Sequence, residues 1–358
     1  MERIARLHYL DWARGLAALV MLQGHAFHAW LRPEFYNTPL YQASQTIGGL
    51  PAVLFLFLTG ISLVILLHRA ERKQLNPWRV VLGRSGYVLA AAFLFRFQQW
   101  TSWYPDAPLY DLLKVDILNI IAVSLAVAGA TTLLLPRRHR IAGAACGAVG
   151  VALLTPVLWT LPAGLASEAL LRYVRGGAET FEFPAFPWIS YTFTGVLVGL
   201  LIVGQRDEAQ VKRVMRWLVL VALGLIVAAR FFDSLPYTYY QPYDYWLTSP
   251  NLVANRTALA LLILAASYGW TKLANPAAFS WIRQLGTTSL LVYWVHIELT
   301  YGRTLSFLQG RLDLRQTTLY AVALIVAMVV LSAAKTHWRS WLNVAARRRR
   351  RYAESASG

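Results

Sequence analysis

Residues 46–68 read TIGGLPAVLFLFLTGISLVILLH, a stretch without a single Asp, Glu, Lys or Arg. A helix of about 20 apolar residues crosses the roughly 30 Å hydrocarbon core of a bilayer. Apolar runs of similar length recur from the first helix near residue 9 to the last near residue 336. The pattern therefore predicts an integral membrane protein with many spans.

The composition agrees with a membrane protein and excludes a soluble domain. Of the 358 residues, 57% are hydrophobic and 14% are charged, whereas soluble domains carry about 25% charged residues. The net charge is +17, but the basic residues lie in short connectors, so we exclude nucleic acid as a partner and expect contact with membrane lipid. The single cysteine, Cys146, excludes an intrachain disulfide, and no residue set has metal-ligand spacing.

We predict an all-α bundle of about ten transmembrane helices. The predicted helices cover 9–31, 46–68, 79–99, 112–135, 140–161, 184–205, 212–232, 252–272, 282–301 and 315–336. The connectors containing Arg69 to Lys73, Arg137 to Arg140, and Arg206 with Arg213 are basic, and the alternate connectors are rich in Pro, Tyr, Trp and acidic residues. The positive-inside rule places both termini in the cytoplasm, in a multi-pass cytoplasmic (inner) membrane protein.

The first helix carries four ionisable residues on one stripe: Asp11, Arg14, His25 and His28. Arg14 and His25 differ by only about 20° around the axis and are roughly 16 Å apart along it. Ionisable groups in hydrocarbon usually mark function. Asp11 and Arg14 would bind a donor or simply pair with each other at i,i+3. His25 is either functional or a satisfied buried histidine, and His28 either functional or interfacial.

The predicted topology gathers further polar residues at similar depth below the outer surface. With His25 and His28, this outer set comprises Arg96, Asp116, Asn119, Arg256, His296 and Glu298. Arg84 joins Asp11 and Arg14 in a smaller inner set. Asp116 needs a partner at that depth, which Arg256 or His296 would provide, and a purely structural ion pair is the alternative. The aromatic loop Tyr237–Trp246 would stack on sugars or anchor the membrane interface.

One polar set at each end of a bundle suggests a tunnel between two compartments. Histidines with carboxylates supply a general base at neutral pH. Arginines bind phosphate through a bidentate fork, so an acyl-CoA entering from the cytoplasm fits the inner set. A transporter for a small anion would use the same groups without chemistry. The residues alone leave these two functions equally supported.

Several motifs resemble known membrane acyltransferases. The segment Leu10 to Ala17 followed by His25 has the Arg-x10-His pattern of acyltransferase family three. The chain resembles the heparan-α-glucosaminide N-acetyltransferase-like family more broadly, through segments that follow the same order over most of its length. The segments that carry this second resemblance are Phe55–Gly60, Val115–Ala122, Phe186–Trp188 with Gly195 and Gly199, and Leu285–His296.

The resemblance implies transfer of an acetyl group from cytoplasmic acetyl-CoA to a sugar amine or hydroxyl beyond the membrane. It makes His25 the base and places Asp116 and His296 in the catalytic site. The residues alone also allow His28 to share that work, and the choice between His25 and His28 as the base is left open. Asp11, Arg14 and Arg84 would bind the donor, and Arg96, Asn119, Arg256 and Glu298 the acceptor or the oxyanion. Asp116 or Glu298 would fix the tautomer of an imidazole.

In the lysosomal enzyme of that family, asparagine stands where this chain has His25, and the catalytic histidine lies in the following loop. Here that loop contains Tyr36 and Asn37, so acyltransferase family three gives the better template for His25. We expect one acyltransferase domain over 1–336 and a basic cytoplasmic tail over 337–358 with a short interfacial helix. The acceptor, the choice between N- and O-acylation, the acyl chain and a homodimer are left open.

Overall fold

The computed structural model describes residues 7–162, 164, 167–176, 182–205, 207–238, 240, 241, 244–274 and 279–356, with side chains up to residue 338. Within these ranges the chain is helical, without β-strands, and a single isolated backbone bridge joins Leu31 to Leu312. This confirms the predicted all-α class. Arg206, Tyr239, Pro242, Tyr243 and the side chains of the arginine run from Arg347 to Arg351 lie outside the described residues.

Thirteen α-helices are found in the described part of the chain. They are α1 His8–Trp30, α2 Pro39–Gly48, α3 Leu50–Arg72, α4 Pro77–Trp103, α5 Ile117–Leu134, α6 Arg140–Leu158, α7 Glu168–Arg175, α8 Ala185–Val203, α9 Glu208–Asp233, α10 Pro250–Leu273, α11 Trp281–Thr287, α12 Ser289–Tyr301 and α13 Leu314–Ala356. They divide into two compact units. The terminal unit comprises 1–48 and 275–358, and the central unit comprises 49–274.

Eight helical segments within the described residues are long and apolar enough to cross a membrane. They contain α3, α4, α5, α6, α8, α9, α10 and the part of α13 up to Trp338. The chain is therefore a multi-pass membrane protein, as predicted. The helix predicted over 9–31 is present as the 23-residue α1, which carries the four ionisable residues and falls outside that set of eight.

The helix predicted over 282–301 is interrupted, which is a difference from the sequence-based prediction. Thr288 ends α11 with non-helical φ −124° and ψ 28°, and α12 begins at the next residue. The groups around this break are satisfied by α13, because Gln284 donates to the carbonyl of buried Ser332 at 2.9 Å and Ser332 Oγ donates to the Gln284 carbonyl at 2.8 Å. These bonds satisfy the carbonyl and the side-chain amide of Gln284 beside the break.

The tail also differs in form from the prediction. The last helix begins at Leu314 and runs to Ala356 as one element, so the short tail helix is a continuation of α13 rather than a separate piece. The side chains beyond residue 338 are outside the described part, and a position at the membrane interface stays a prediction.

In the terminal unit, α1 and α11 are in close backbone contact. A Cβ at Gly15 would collide with the carbonyl of Ile282, and a Cβ at Gly286 would collide with the carbonyl of Asp11. Small residues at helix interfaces allow such close approach in membranes, where van der Waals packing drives association. This contact positions the start of α1 against the segment that leads into α12.

The far end of α1 is held by the loop between α12 and α13. Arg32 N–H donates to the Leu312 carbonyl, and Leu312 N–H donates to the Trp30 carbonyl, each at 2.9 Å. Gly310 N–H donates to the Ala29 carbonyl, also at 2.9 Å. Gly310 has φ +63°, a left-handed conformation that favours glycine. The two ends of α1 are thus fixed, and the residues between them are held in register with α12.

In the central unit, α3 packs closely on α8. A Cβ at Gly60 would collide with the Thr192 carbonyl, and a Cβ at Gly195 would collide with the Phe57 carbonyl. Thr192 Oγ1 donates to the Leu56 carbonyl at 3.3 Å across the same interface. Small residues and an interhelical hydrogen bond are the usual means of joining helices in lipid.

Candidate active site

A pair of stacked imidazoles lies at the centre of the polar cluster in the terminal unit. His25 on α1 and His296 on α12 are 271 positions apart in sequence, yet Nδ1 of His25 lies 2.9 Å from Nε2 of His296. The ring centroids are 5.2 Å apart and the rings are 12° from parallel. His296 is fully buried and His25 is half-buried. The structure thus brings together two histidines that the sequence placed at similar depth.

The hydrogen-bond partners assign the tautomers of both rings. Nδ1 of His296 lies 2.8 Å from the Val292 carbonyl, which can only accept, so Nδ1 carries the proton. In the neutral ring Nε2 of His296 is then an acceptor, and Nδ1 of His25 must be its donor. Nε2 of His25 is left with the lone pair, which is the form that a general base requires.

This arrangement corrects one prediction. A carboxylate, Asp116 or Glu298, was expected to fix the tautomer of the imidazole. The carbonyl of Val292, four residues before His296 on the same helix, fixes the His296 ring instead. Glu298 is half-buried near the end of α12, where a Cβ at Gly302 would collide with its carboxylate.

A second histidine lies one turn further along α1, beside a tyrosine. Nδ1 of His28 lies 2.9 Å from the hydroxyl of Tyr301, the last residue of α12. The Tyr301 ring also meets the His25 ring edge-on, with centroids 5.5 Å apart. Tyr301 therefore contacts both His25 and His28. His28 is the more exposed of the two.

At the opposite end of α1, Asp11 and Arg14 form the ion pair that their i,i+3 spacing allows. Arg14 Nη1 lies 3.2 Å from Asp11 Oδ1, and the side chains are 26% and 8% exposed, respectively. The pair lowers the cost of placing both charges in an apolar helix. It also leaves Arg14 partly accessible, as a donor-binding arginine would need to be.

In the central unit the buried carboxylate of Asp116 forms an ion pair. Its Oδ2 lies 3.2 Å from Nη2 of Arg96, although Arg256 or His296 was the expected partner. Asp116 is also the N-cap of α5, where it forms a reciprocal capping box with Asn119. The structure therefore gives Asp116 a helix-capping role that was not predicted, and an ion pair of the kind predicted as the alternative but with Arg96 as the partner.

Asn119 links the start of α5 to the short helix α7. Its side-chain oxygen accepts from Asp116 N–H at 3.2 Å, and its Nδ2 donates to the Tyr173 hydroxyl at 2.9 Å. Partial burial raises the pKa of Tyr173, although the hydrogen bond from Asn119 acts in the other direction. The phenol consequently stays protonated at neutral pH.

Two further arginines of the predicted site stack on aromatic rings of the central unit. Arg256 on α10 lies over the Trp188 ring at 5.9 Å, and Arg84 lies over the Tyr87 ring at 5.6 Å. Arg256 is half-buried, whereas Arg84 is exposed on α4. The described residues contain no group of three His, Cys, Asp or Glu side chains that could hold a metal ion.

Comparison with known proteins decides the family. Residues 6–227 match the family described as heparan-alpha-glucosaminide N-acetyltransferase, catalytic. The chain belongs to this family. The match begins just before α1 and ends within α9, so it covers His25, His28, Arg96 and Asp116. A search of curated proteins gives no match. Membership of the N-acetyltransferase family, together with the membrane-spanning helices, makes the chain a membrane acetyltransferase.

The family match leaves His296 and Tyr301 outside its limits. Sequence-based reasoning included His296 but missed Tyr301, Tyr173 and the Val292 carbonyl. A tyrosine at a helix end is typical of an interfacial anchor, so Tyr301 gave no distinct signal. One indication was available in the sequence. Tyr301 and His28 lie near the ends of two helices that the predicted topology ends on the same side of the membrane.

Proposed function

We propose that this N-acetyltransferase family member moves an acetyl group from cytoplasmic acetyl-CoA to a sugar amine or hydroxyl on the far side of the cytoplasmic membrane, with His25 as general base. The basic connectors place the donor side in the cytoplasm by the positive-inside rule. The proposed catalytic domain spans 1–336, and the basic region 337–358 rests beside the inner leaflet.

The proposed step is a direct acyl transfer. The acceptor nitrogen or oxygen attacks the thioester carbonyl carbon while its proton passes to Nε2 of His25. The resulting tetrahedral oxyanion collapses, the carbon–sulfur bond breaks, and CoA leaves as the thiol after taking the proton from His25. General-base assistance of this kind contributes about 10²–10⁴ in rate.

His296 is proposed as a positioning residue for His25. Because its Nδ1 donates to Val292, its Nε2 accepts from His25 and keeps the base nitrogen of His25 unprotonated. As His25 takes the acceptor proton, the His25 ring becomes cationic, and the lone pair on His296 stabilises the Nδ1 proton. His28 shares this work through Tyr301, which contacts both rings.

The remaining roles are proposed for each unit by itself. In the terminal unit, Asp11 orients Arg14 toward the phosphates of the donor, and Glu298 lies on the acceptor side. In the central unit, Arg84 serves the donor, and Arg96 with Asp116 supports the acceptor region. Asn119 is engaged by Asp116 and Tyr173, so Arg256 is the better group for the acceptor or the oxyanion.

The His25–His296 hydrogen bond carries this proposal, and a purified-protein assay tests it. Full-length protein is incubated with acetyl-labelled acetyl-CoA and a panel of amino sugars. We expect CoA release that depends on the sugar, with label recovered in an N- or O-acetyl sugar. Solute uptake into proteoliposomes without CoA release would instead indicate a transporter for a small anion.

A further inference from the structure

In the central unit the half-buried Arg256 has no carboxylate partner among the described residues, and neither has Arg84, which is exposed on α4. The ion-paired carboxylates there belong to other cations: Asp111 to Lys114, Asp116 to Arg96, Glu71 to Arg137 and Arg140, Glu168 and Glu182 to Arg172, and Glu208 to Lys272. Arg256 lies in the second turn of α10, a membrane-spanning helix, and is half-buried. An arginine in such a position normally faces a partner or a functional cavity.

The guanidinium of Arg256 lies over an aromatic ring of α8. Its central carbon lies over the Trp188 ring at 5.9 Å, and Trp188 meets Tyr191 edge-on at 5.8 Å on the same face of α8. A guanidinium stacked on a ring keeps its N–H groups directed outward in its own plane, where they can form a bidentate bond.

The hydroxyl of Tyr191 provides a second polar group. It lies beside the Arg256 guanidinium, and it is buried without a well-formed hydrogen bond to any described residue. Arg256 can only donate, so the O–H of Tyr191 has no acceptor among the described residues, although buried hydroxyls usually have one. A hydroxyl donor next to a guanidinium fork, with an aromatic ring behind, matches the requirements of an oxyanion ligand.

We propose that Arg256 and Tyr191, backed by Trp188, bind the phosphate or carboxylate of an anionic acceptor. This inference rests on the proposed function and specifies its acceptor as an amino sugar that carries an acidic group. The segment 233–251 before α10 belongs to the predicted outer connectors, which places Arg256 on the acceptor side. The phosphates of the donor lie on the opposite side of the membrane in this topology.

Equilibrium binding tests the proposal without depending on turnover. Full-length protein in phosphatidylcholine nanodiscs is titrated with labelled glucosamine 6-phosphate and, separately, with glucosamine. We expect glucosamine 6-phosphate to bind the wild type more tightly, and Arg256→Gln to weaken that binding by about tenfold or more, the usual effect of losing a charged hydrogen-bond partner. Glucosamine binding should not change.

A matched variant and two conservative ones complete the experiment. Arg230→Gln removes an exposed arginine from the last turn of α9 and should leave sugar-phosphate binding unchanged. Arg256→Lys keeps the charge but loses the fork, and Tyr191→Phe loses only the hydroxyl, so both should weaken binding less than Arg256→Gln. These two variants also decide the matter if Arg256→Gln fails to purify as a monodisperse protein.

Three results would overturn the proposal. In the first, the wild type binds glucosamine 6-phosphate no better than glucosamine. In the second, Arg256→Gln and Arg230→Gln behave alike. In the third, Arg256→Gln loses a co-purified anionic phospholipid while sugar-phosphate binding is unchanged, which would make the site a lipid headgroup site. Absence of acetyl transfer to every sugar would reject the proposed function but leave these binding results intact.

Discussion

The histidine cluster of the terminal unit and the Asp116 site of the central unit satisfy their buried polar groups in different ways. In the histidine cluster neutral groups pair with neutral groups, as His25 with His296 and His28 with Tyr301, whereas the ion pair of Asp11 with Arg14 lies at the opposite end of α1. In the central unit, opposite charges pair, as Arg96 with Asp116, and the same carboxylate caps a helix. In a neutral imidazole pair, one ring nitrogen keeps a lone pair and can act as a base. In the ion pair and helix cap, both the guanidinium and the carboxylate are already engaged in structural contacts.

This difference supports the proposal that His25, rather than Asp116, takes the acceptor proton. The carboxylate of Asp116 already has structural partners, because Arg96 pairs with it and the first turn of α5 donates to it. A neutral imidazole that donates its one N–H group to a partner keeps a lone pair on its other ring nitrogen. We therefore expect substitutions in the histidine cluster to lower activity more than stability, and substitutions at Asp116 to do the reverse.

The largest effect is expected for His25→Ala. Removing the base should lower the rate of acetyl transfer by about 10²–10⁴, while the protein still inserts and purifies normally. The rate is measured as sugar-dependent CoA release by purified protein. His139→Ala removes an exposed histidine and should leave the rate unchanged. Full activity of His25→Ala would remove the proposed base.

His296 sharpens the comparison because its role is to position a base rather than to act as one. Alanine at 296 removes the acceptor for the Nδ1 proton of His25, so kcat should fall by about 10–100-fold with little change in KM for acetyl-CoA. Glutamine carries an amide oxygen near the place of Nε2 and should restore part of kcat. Equal losses in His296→Ala and His296→Gln would indicate a packing role only.

Asp116→Asn should lower stability more than activity, the reverse of the effect expected for the histidine variants. The variant leaves Arg96 without its anion but keeps an N-cap side chain on α5, since Asn caps helices as well as Asp does, so the free energy of unfolding should fall by about 1–3 kcal/mol through the lost ion pair. Acetyl transfer by the folded fraction should fall only a few-fold. Thermal unfolding followed by size-exclusion chromatography measures the loss of stability. Asp111→Asn breaks a less buried pair with Lys114 and should change stability by less than about 1 kcal/mol.

A large loss of kcat in folded Asp116→Asn, without a change in unfolding temperature, would contradict the structural role. It would return Asp116 to the catalytic role that its depth in the membrane first suggested.

The smallest effect is expected for Tyr301→Phe. The phenylalanine ring keeps the contact with His25 but loses the hydrogen bond to His28, so acetyl transfer should fall by only about 3–10-fold. Steady-state kinetics with the variant and with Tyr301→Ala separate the two contacts. If the hydroxyl has no role, Tyr301→Phe will match the wild type.

The sequence predicted the helical membrane fold because hydropathy acts over each span locally. The runs that became α3, α8 and α10 differ from their predicted limits by only a few residues. The interruption at Thr288 was not predicted, since it depends on Gln284 and Ser332, which lie on different helices. Local patterns do not contain contacts of that kind.

The candidate site was predicted in part. Counting depth along alternating helices placed His25 and His296 near one level, but their hydrogen bond depends on helix rotation and on the close contact of Gly15 with α11. The partner of Asp116 was misassigned for the same reason, since several cations lie at similar depth and only packing selects Arg96. The tautomer of His296 depends on a backbone carbonyl, which carries no residue-specific signal.

The proposed base requires a lone pair at Nε2 of His25, and histidine tautomers can be observed directly. Solid-state NMR of ¹⁵N-histidine-labelled protein in lipid, assigned by comparison with His25→Ala and His296→Ala, gives the protonation of each ring nitrogen. At neutral pH we predict protonated Nδ1 and unprotonated Nε2 for both His25 and His296, with the His25 Nδ1 resonance moved by His296→Ala. A His25 ring protonated at Nε2 in the wild type would contradict the proposed base.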